Sequence, residues 1–264
     1  MTEWIEILNK PNAKAGDYIG ADGLRYCGTC RKPKQAIVEG IPWPVPITCQ
    51  CQQAELEAAE ERDKYDRIEK LRSYCIPSRA ARNHTFATAE DEKHIRMMRR
   101  YADNWEEMKK QQLGIVLYGP VGTGKTYAAH CVANALIDRE IPVRLINAVD
   151  LVSQLIDSEK REIVISTVST VPLLIVDDLG SEHDSAFSRS QICAVIDARV
   201  ESGRPFLITT NYTLDEMENA KDHTLARTFD RILQVCVPIA VTGQSKRKSK
   251  AEEVLKTAKA LLED

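Results

Sequence analysis

The sequence has no run of about 18 apolar residues, and it therefore predicts no membrane-spanning helix. It also lacks an excess of either charge, since 36 Lys and Arg stand against 39 Asp and Glu for a net charge of -3. That balance excludes a strongly basic DNA-coating protein, although a local nucleic-acid-binding patch stays compatible with it. No internal repeat or low-complexity tract is present, and the 43% hydrophobic and 28% charged content excludes fibrous and disordered chains. The 264 residues suffice for one large domain, or for a large and a small one.

Disulfide density is low as well, with 8 cysteines in the chain. Four of these are scattered singly, at Cys75, Cys131, Cys193 and Cys236. The N-terminal segment carries acidic residues and no long apolar core, so it does not resemble a secretory signal. We expect a cytoplasmic protein whose thiols stay reduced.

Composition divides the chain into three stretches. Residues 1–54 are rich in Gly, Pro and Cys, and residues 55–84 form a charged helix followed by a linker that Pro77 begins. A thin apolar stripe is expected on that helix, made of Leu56, Ala59, Tyr65, Ile68 and Leu71. Residues 85–264 alternate helix-like and strand-like patterns and form the largest predicted domain.

Five short apolar runs in this third stretch predict buried strands, at 114–119, 142–148, 172–178, 205–211 and 233–239. Helix-length segments separate most of them. Continuous apolar strands joined by helices are typical of a parallel sheet that is covered on both faces. The predicted fold is therefore α/β, with a five-stranded parallel sheet.

A phosphate-binding loop follows the first of these runs. It fits G-x-x-x-x-G-K-[ST] with Gly119, Pro120, Val121, Gly122, Thr123, Gly124, Lys125 and Thr126. The glycines let successive N–H groups face one anion, and the helix that follows adds its positive N-terminus. Lys125 is then expected at the β- and γ-phosphates of a nucleotide, and Thr126 at Mg²⁺.

Two further strand ends carry polar side chains. Asp177 and Asp178 end the third run, where ligands bind in parallel sheets, so we expect Asp177 at Mg²⁺ and Asp178 at the attacking water. Asn211 ends the fourth run and is placed to hold the water or the γ-phosphate. A turn-forming role for Asn211, and a capping role for the two acids, are the competing interpretations.

Two cysteine pairs lie in the first stretch, at Cys27, Cys30, Cys49 and Cys51. Four thiolates in two close pairs can form a closed tetrahedral Zn²⁺ site, and a segment this small needs such a staple. The second pair is C-x-C in place of the usual C-x₂-C. Free or redox-active cysteines are the alternative.

Together the motifs resemble the AAA+ ATPases, and in particular the DnaC/DnaI-type replicative helicase loaders and the related transposon ATPase IstB. The resemblance covers roughly residues 75–248 and includes Asp177–Glu182, Arg227–Ile232 and Thr242–Arg247. It implies that Arg231 is an arginine finger, Arg247 a sensor 2 arginine and Asn211 sensor 1. Arg247 stands in a basic run, for which a solvated connector is the other interpretation.

The same resemblance implies a function. It indicates an ATP-dependent loader of a hexameric DnaB-type helicase onto single-stranded DNA, with ATP/ADP, Mg²⁺ and Zn²⁺ as cofactors and ATP-dependent self-association. The setting would be the bacterial cytosol, for a chromosomal or a phage protein. Asp178 stands where such ATPases often have Glu, so we expect slow hydrolysis; Glu182 lies nearby and is assigned no role. An IstB-like transposition ATPase, and a zinc-ribbon adaptor that uses ATP binding as a switch, are the alternatives.

Overall fold

The structure is a computed structural model, and it describes residues 14–262. The chain separates into two compact units, one up to Arg67 and the other from Ile68 onward. Within the described residues, no helix combines the length and the apolar character that a membrane span requires.

The first unit contains two short antiparallel hairpins and the start of a long helix. The hairpins pair β1 with β2 and β3 with β4, and the elements are β1 (Tyr18–Ile19), β2 (Arg25–Tyr26), β3 (Gln35–Ala36), β4 (Val45–Pro46) and α1 (Gln50–Cys75). Two-residue strands bury little apolar surface. A buried ion pair joins the segments instead, with Lys34 Nζ 2.8 Å from Asp17 Oδ2 and side chains only 1% and 5% exposed.

Helix α1 begins at Gln50 rather than at residue 55. Its expected apolar stripe is only partly buried. Ile68 and Leu71 pack against the core of the second unit, to which they belong. Leu56 and Tyr65 are 48% and 65% exposed, so that half of the stripe lies at the surface of the helix.

The second unit is a five-stranded parallel sheet flanked by helices, as predicted. Its strands are β5 (Gly114–Tyr118), β6 (Val143–Asn147), β7 (Leu173–Leu179), β8 (Phe206–Thr210) and β9 (Cys236–Ala240), in the order β6-β7-β8-β5-β9. Its described helices after α1 are α2 (Arg79–Arg82), α3 (Lys93–Asp103), α4 (Trp105–Lys110), α5 (Lys125–Ile137), α6 (Ala148–Ile156), α7 (Ser158–Thr170), α8 (Ala186–Glu201), α9 (Leu214–Glu218), α10 (His223–Val235) and α11 (Lys246–Leu262).

Alternate residues of each central strand enter two separate apolar cores. In β7, Leu173 and Ile175 belong to one cluster, and Leu174 and Val176 belong to the other. Because successive side chains of a strand leave opposite faces, the sheet has a core on each side. Both clusters contain residues from the flanking helices, which explains the continuous apolar runs in the sequence.

The last predicted strand is wrong at its start. Leu233–Val235 lie at the end of α10, and β9 begins at Cys236. Leu233 and Val235 pack against the same core as Ile232, so the helix needs apolar residues up to its last turn. The sequence therefore shows one apolar run where the structure changes from helix to strand.

A buried arginine connects the segments that precede β7, which contains Asp177 and Asp178, and β8, which Asn211 follows directly. Arg199 is 0% exposed, and it donates to the carbonyls of Val168, Val171, Pro172 and Pro205 at 2.6 to 2.9 Å. Pro172 precedes β7 and Pro205 precedes β8. Burial lowers the pKa of Arg199 to about 9, and the carbonyl dipoles take the place of a carboxylate partner.

Candidate functional site

The strand order determines where the motifs meet. β5 leads into the phosphate-binding loop and lies beside β8, which Asn211 follows directly. β8 in turn lies beside β7, which contains Asp177 and Asp178. All three strands run parallel, so their carboxyl ends share one edge of the sheet. The sequence motifs thus converge on one site.

The loop at 119–126 is held by the segment that follows β9. Val241 N donates to Tyr118 O at 2.8 Å, and Lys246 N donates to Gly122 O at 3.0 Å. A side chain at Gly119 would stand 2.4 Å from Val241 O, and this glycine has φ +136°. Only glycine fits such a close approach of two backbones.

Lys125 is the buried cation of the site. Its ammonium donates to Gly119 O at 2.7 Å, to Pro120 O at 2.8 Å and to Asn211 Oδ1 at 2.9 Å. Burial lowers its pKa, against the opposing negative charges of Asp178 and Asp177. These three acceptors take the place of water around the ammonium, but all three are neutral. The positive charge of Lys125 is therefore available for an anion to neutralise.

Asn211 joins this lysine to the acidic pair. Its amide accepts from Lys125 through Oδ1, and its Nδ2 donates to Asp178 Oδ1 at 3.0 Å. Asp177 is buried and accepts a 2.6 Å hydrogen bond from Thr209 Oγ1. Thr209 had no role in the sequence analysis, because a threonine inside an apolar strand looks like ordinary strand composition.

A cavity of about 340 Å³ opens beside these residues. Its lining includes most of the predicted nucleotide residues, namely Val121, Gly122, Gly124, Lys125, Thr126, Asp178, Asn211 and Arg247. The rest of the lining is formed by residues to which the sequence gave no role, namely His84, Thr88, Glu90, His94, Ile95, Tyr127 and Lys246. A mixed polar and apolar cavity of this size next to an anion site suits a nucleotide.

One residue of the lining, His84, contacts a second histidine that does not line the cavity. His84 Nδ1 and His130 Nδ1 lie 2.9 Å apart, and the His84 ring packs 4.5 Å from Tyr127. Burial lowers the pKa of His130 to about 4, so a neutral imidazole accepts at one of these nitrogens near pH 7. The 46-residue separation between the two histidines in the sequence gave no sign of this contact.

The two basic residues at the start of α11 differ in their surroundings. Lys246 Nζ lies 2.9 Å from Glu90 and 2.8 Å from Glu92. Arg247 lines the cavity and is exposed, and its charge acts to lower the pKa of Lys125.

Two of the predicted catalytic and magnesium-binding side chains do not line this cavity: Asp177 lines another one, and Arg231 lines neither. Arg231 lies on α10, 41% exposed, with Nε 3.4 Å from Asp197 Oδ1 and Nη1 3.2 Å from Gln234 Oε1. Arg227 donates to the other oxygen of the same carboxylate at 2.6 Å. Arg231 does not line the cavity of its own chain.

The four predicted metal ligands converge in the first unit. The Sγ atoms of Cys27, Cys30, Cys49 and Cys51 all lie within 4.8 Å of one another. Tetrahedral Zn–S bonds of about 2.3 Å place sulfurs roughly 3.8 Å apart, so these side chains fit a closed thiolate site. Backbone N–H groups of Cys30 and Thr29 lower the pKa of Cys27 to about 6, which favours the thiolate that a metal binds.

Comparison with known proteins gives one family and a set of relatives. The family described as IstB-like ATP binding protein matches residues 55–254. The replicative helicase loader DnaI of Bacillus subtilis (strain 168) is 27% identical over 147 residues, which are 51% of this chain and 47% of DnaI. The loader DnaC of Escherichia coli (strain K12) is 29% identical over 117 residues, 42% of this chain and 48% of DnaC. The chain thus spans about half the length of the curated relatives it matches.

Solved structures support the fold. A crystal structure of DnaI aligns with a TM-score of 0.55 and 22% identity, covering 64% of this chain and 93% of that one. A crystal structure of the DnaC helicase loader aligns with a TM-score of 0.53 and 23% identity, covering 62% and 100%. The second unit therefore has the fold of AAA+ P-loop proteins.

The cysteine cluster generates a metal prediction. Freshly purified, reduced protein should contain about one Zn²⁺ per chain by elemental analysis, because four thiolates close a tetrahedral site. Cys27→Ser or Cys49→Ser should lose it, whereas Cys193→Ser, outside the cluster, should keep it. Wild-type protein without zinc would contradict this assignment.

Proposed function

This chain belongs to the family of IstB-like ATP binding proteins, and we propose that it is an ATP-dependent loader of a replicative DNA helicase onto single-stranded DNA. ATP binding is supported by the hydrogen-bonded series Lys125–Asn211–Asp178 at the edge of a cavity of nucleotide size. Helicase loading is supported by the similarity to the helicase loaders DnaI and DnaC. We place the protein in the bacterial cytosol.

In the proposed ATP site, the predicted residues keep the roles that their motifs gave them. The loop N–H groups and Lys125 bind the β- and γ-phosphates, Thr126 and Asp177 hold Mg²⁺, and Asp178 orients the attacking water. Mg²⁺ would neutralise charge on the phosphate oxygens. Asn211 holds Asp178 and senses the γ-phosphate, and Arg247 adds a cation at the cavity.

Nucleotide binding would change the partners of Lys125. The ammonium now donates to two carbonyls of its own loop, Gly119 and Pro120. A phosphate is a stronger acceptor than a carbonyl, since charge-assisted hydrogen bonds are roughly twice as strong as neutral ones. The ammonium would therefore turn toward the phosphates, and Asn211 would be released to meet the γ-phosphate or the water.

We propose that Arg231 acts as an arginine finger at the ATP site of a neighbouring subunit. It stands on an exposed helix face, and Asp197 holds its guanidinium from one side. Arginine presents its donors in a rigid fork, which suits a transferring phosphoryl group. A finger of this kind works only across an interface, so the active form is an ATP-dependent oligomer, and repeated head-to-tail contacts need not close into a ring.

We propose residues 1–54 as the zinc module, 55–84 as the helix and linker, and 85–264 as the ATPase domain. Residues from Ile68 onward already belong to the compact unit of the ATPase, and Cys75, Ile76 and Ala81 pack in its core. We propose that the zinc module and its helix hold the helicase, while the ATPase unit contacts single-stranded DNA. A net charge of -3 makes that contact local and salt-sensitive.

Two other functions have their own support. The family match favours an IstB-like transposition helper that acts with a transposase on duplex DNA. The short side chain of Asp178 favours a zinc-ribbon adaptor that binds ATP as a switch and scarcely hydrolyses it. Single-turnover ATPase measurements with and without single-stranded DNA separate the adaptor from an active ATPase.

Lys125→Ala should weaken ATP binding about tenfold or more, since the phosphates lose a charged donor. Asp178→Asn should keep binding and lower hydrolysis about a hundredfold, since the water loses its carboxylate. Lys246→Ala is the matched control, because Glu90 and Glu92 already occupy that ammonium. Hydrolysis at the wild-type rate in Asp178→Asn would redirect the assignment to Glu182.

The arginine finger predicts complementation between two inactive variants. A mixture of Lys125→Ala and Arg231→Ala should regain part of the ATPase rate, because an intact loop in one subunit can meet an intact arginine from the other. Arg227→Ala, which shares the Asp197 carboxylate, should lose less activity alone. If the mixture stays inactive while both variants associate, Arg231 does not act across subunits.

Capture from host lysate tests the loading function. Immobilised protein with ATP should retain a hexameric replicative helicase, identified by mass spectrometry, and Cys27→Ser should retain less of it because its zinc module is disrupted. Retention of a transposase without helicase would establish the transposition function in its place.

A further inference from the structure

Asp177 and Asp178 occupy a β-bulge. β7 and β8 pair regularly up to Val176 with Ile208, and pairing resumes at Leu179 with Thr210. Both acids therefore oppose Thr209 alone. Asp178 has φ +57°, a left-handed conformation that Asp tolerates better than most residues.

A bulge of this kind leaves one residue without its normal ladder partner. Here the hydroxyl of Thr209 replaces that partner, since Thr209 Oγ1 accepts from Asp178 N at 2.8 Å. The same oxygen donates its proton to Asp177 Oδ1 at 2.6 Å. One hydroxyl has one donor and two acceptor positions, so both bonds form at once.

The two bonds act on different parts of the acidic pair. On Asp177, the bond occupies one carboxylate oxygen and fixes the plane of the group; Oδ2 has no hydrogen bond to any described residue. On Asp178, the bond fixes the backbone, while the side chain accepts from Asn211 at 3.0 Å. The side chain of Thr209 is 1% exposed, so water does not compete for it.

We infer that Thr209 is a positioning residue that orients both acids, Asp177 toward Mg²⁺ and Asp178 toward the attacking water. The inference rests on the proposed ATPase function, in which these acids have those roles. Thr209 itself does not line the cavity. Its effect on each acid passes through one hydrogen bond.

The neighbouring threonine provides a matched control. Thr210 is also buried on β8, and its Oγ1 donates to Leu179 O at 2.8 Å and accepts from Tyr212 N at 3.2 Å. It bonds backbone groups only. Thr210→Val thus removes a buried hydroxyl from the same strand without removing a hydrogen bond from either acid.

The test compares Thr209→Val and Thr209→Ser with Thr210→Val in two measurements. The first is the Mg²⁺ concentration that gives half-maximal tightening of binding to a fluorescent ATP analogue. The second is kcat at saturating Mg²⁺ and ATP. Thr209→Val should raise the first and lower the second, each about tenfold or more, as expected for loss of a buried hydrogen bond to a charged group.

Thr209→Ser keeps the hydroxyl and should stay within about threefold of wild type in both measurements, below the smallest effect of removing that bond. If Thr209→Val does not fold by circular dichroism, Thr209→Ala measured against Thr209→Ser isolates the hydroxyl. Unchanged Mg²⁺ dependence in a folded hydroxyl-free variant overturns the inference, as does an equal change in Thr210→Val. A wild-type protein that binds Mg²⁺ and ATP but never hydrolyses contradicts the ATPase proposal alone, because the Mg²⁺ measurement still reports on Thr209.

Discussion

The site depends on one constraint, which is that the buried ammonium of Lys125 must always have acceptors. Without an anion it takes them from its own loop and from Asn211, at 2.7 to 2.9 Å. These bonds fold the loop around the ammonium and link it through Asn211 to Asp178. The strand order β7-β8-β5 makes that link possible, since it sets the three strand ends side by side. In the proposed function, an arriving phosphate would therefore change the partners of the lysine and the amide together.

Much of the ATPase fold could be predicted from the sequence, because its signals are local. The apolar runs identified all five strands, and the loop motif stood between a strand and a helix as its chemistry requires. The prediction failed at the end of α10. Leu233 belongs to the helix and packs against the core, but in the sequence it is part of a short apolar run that predicts a strand. Periodicity alone cannot separate these two uses of a short apolar run.

The parts that could not be predicted are contacts between distant segments. Thr209 also meets the backbone of Asp178 because a bulge shifts the register, and no residue type in β7 indicates that bulge. His84 contacts His130 of α5, and Val241 packs on Gly119, without any shared motif. The cysteine cluster was predictable for the opposite reason, since its ligand spacing is itself the signal and the small unit has little apolar core to bury.

The two basic residues at the start of α11 differ in how their charges are balanced. Lys246 has two carboxylates within 3 Å, so its charge is already neutralised at the cavity. Arg247 forms no ion pair within residues 14–262, yet it lines the same cavity and acts on the charge of Lys125. An unneutralised guanidinium beside a buried ammonium is unfavourable until an anion lies near both. Of the two residues, we therefore propose Arg247 for the sensor role, because a bound polyphosphate would neutralise its charge.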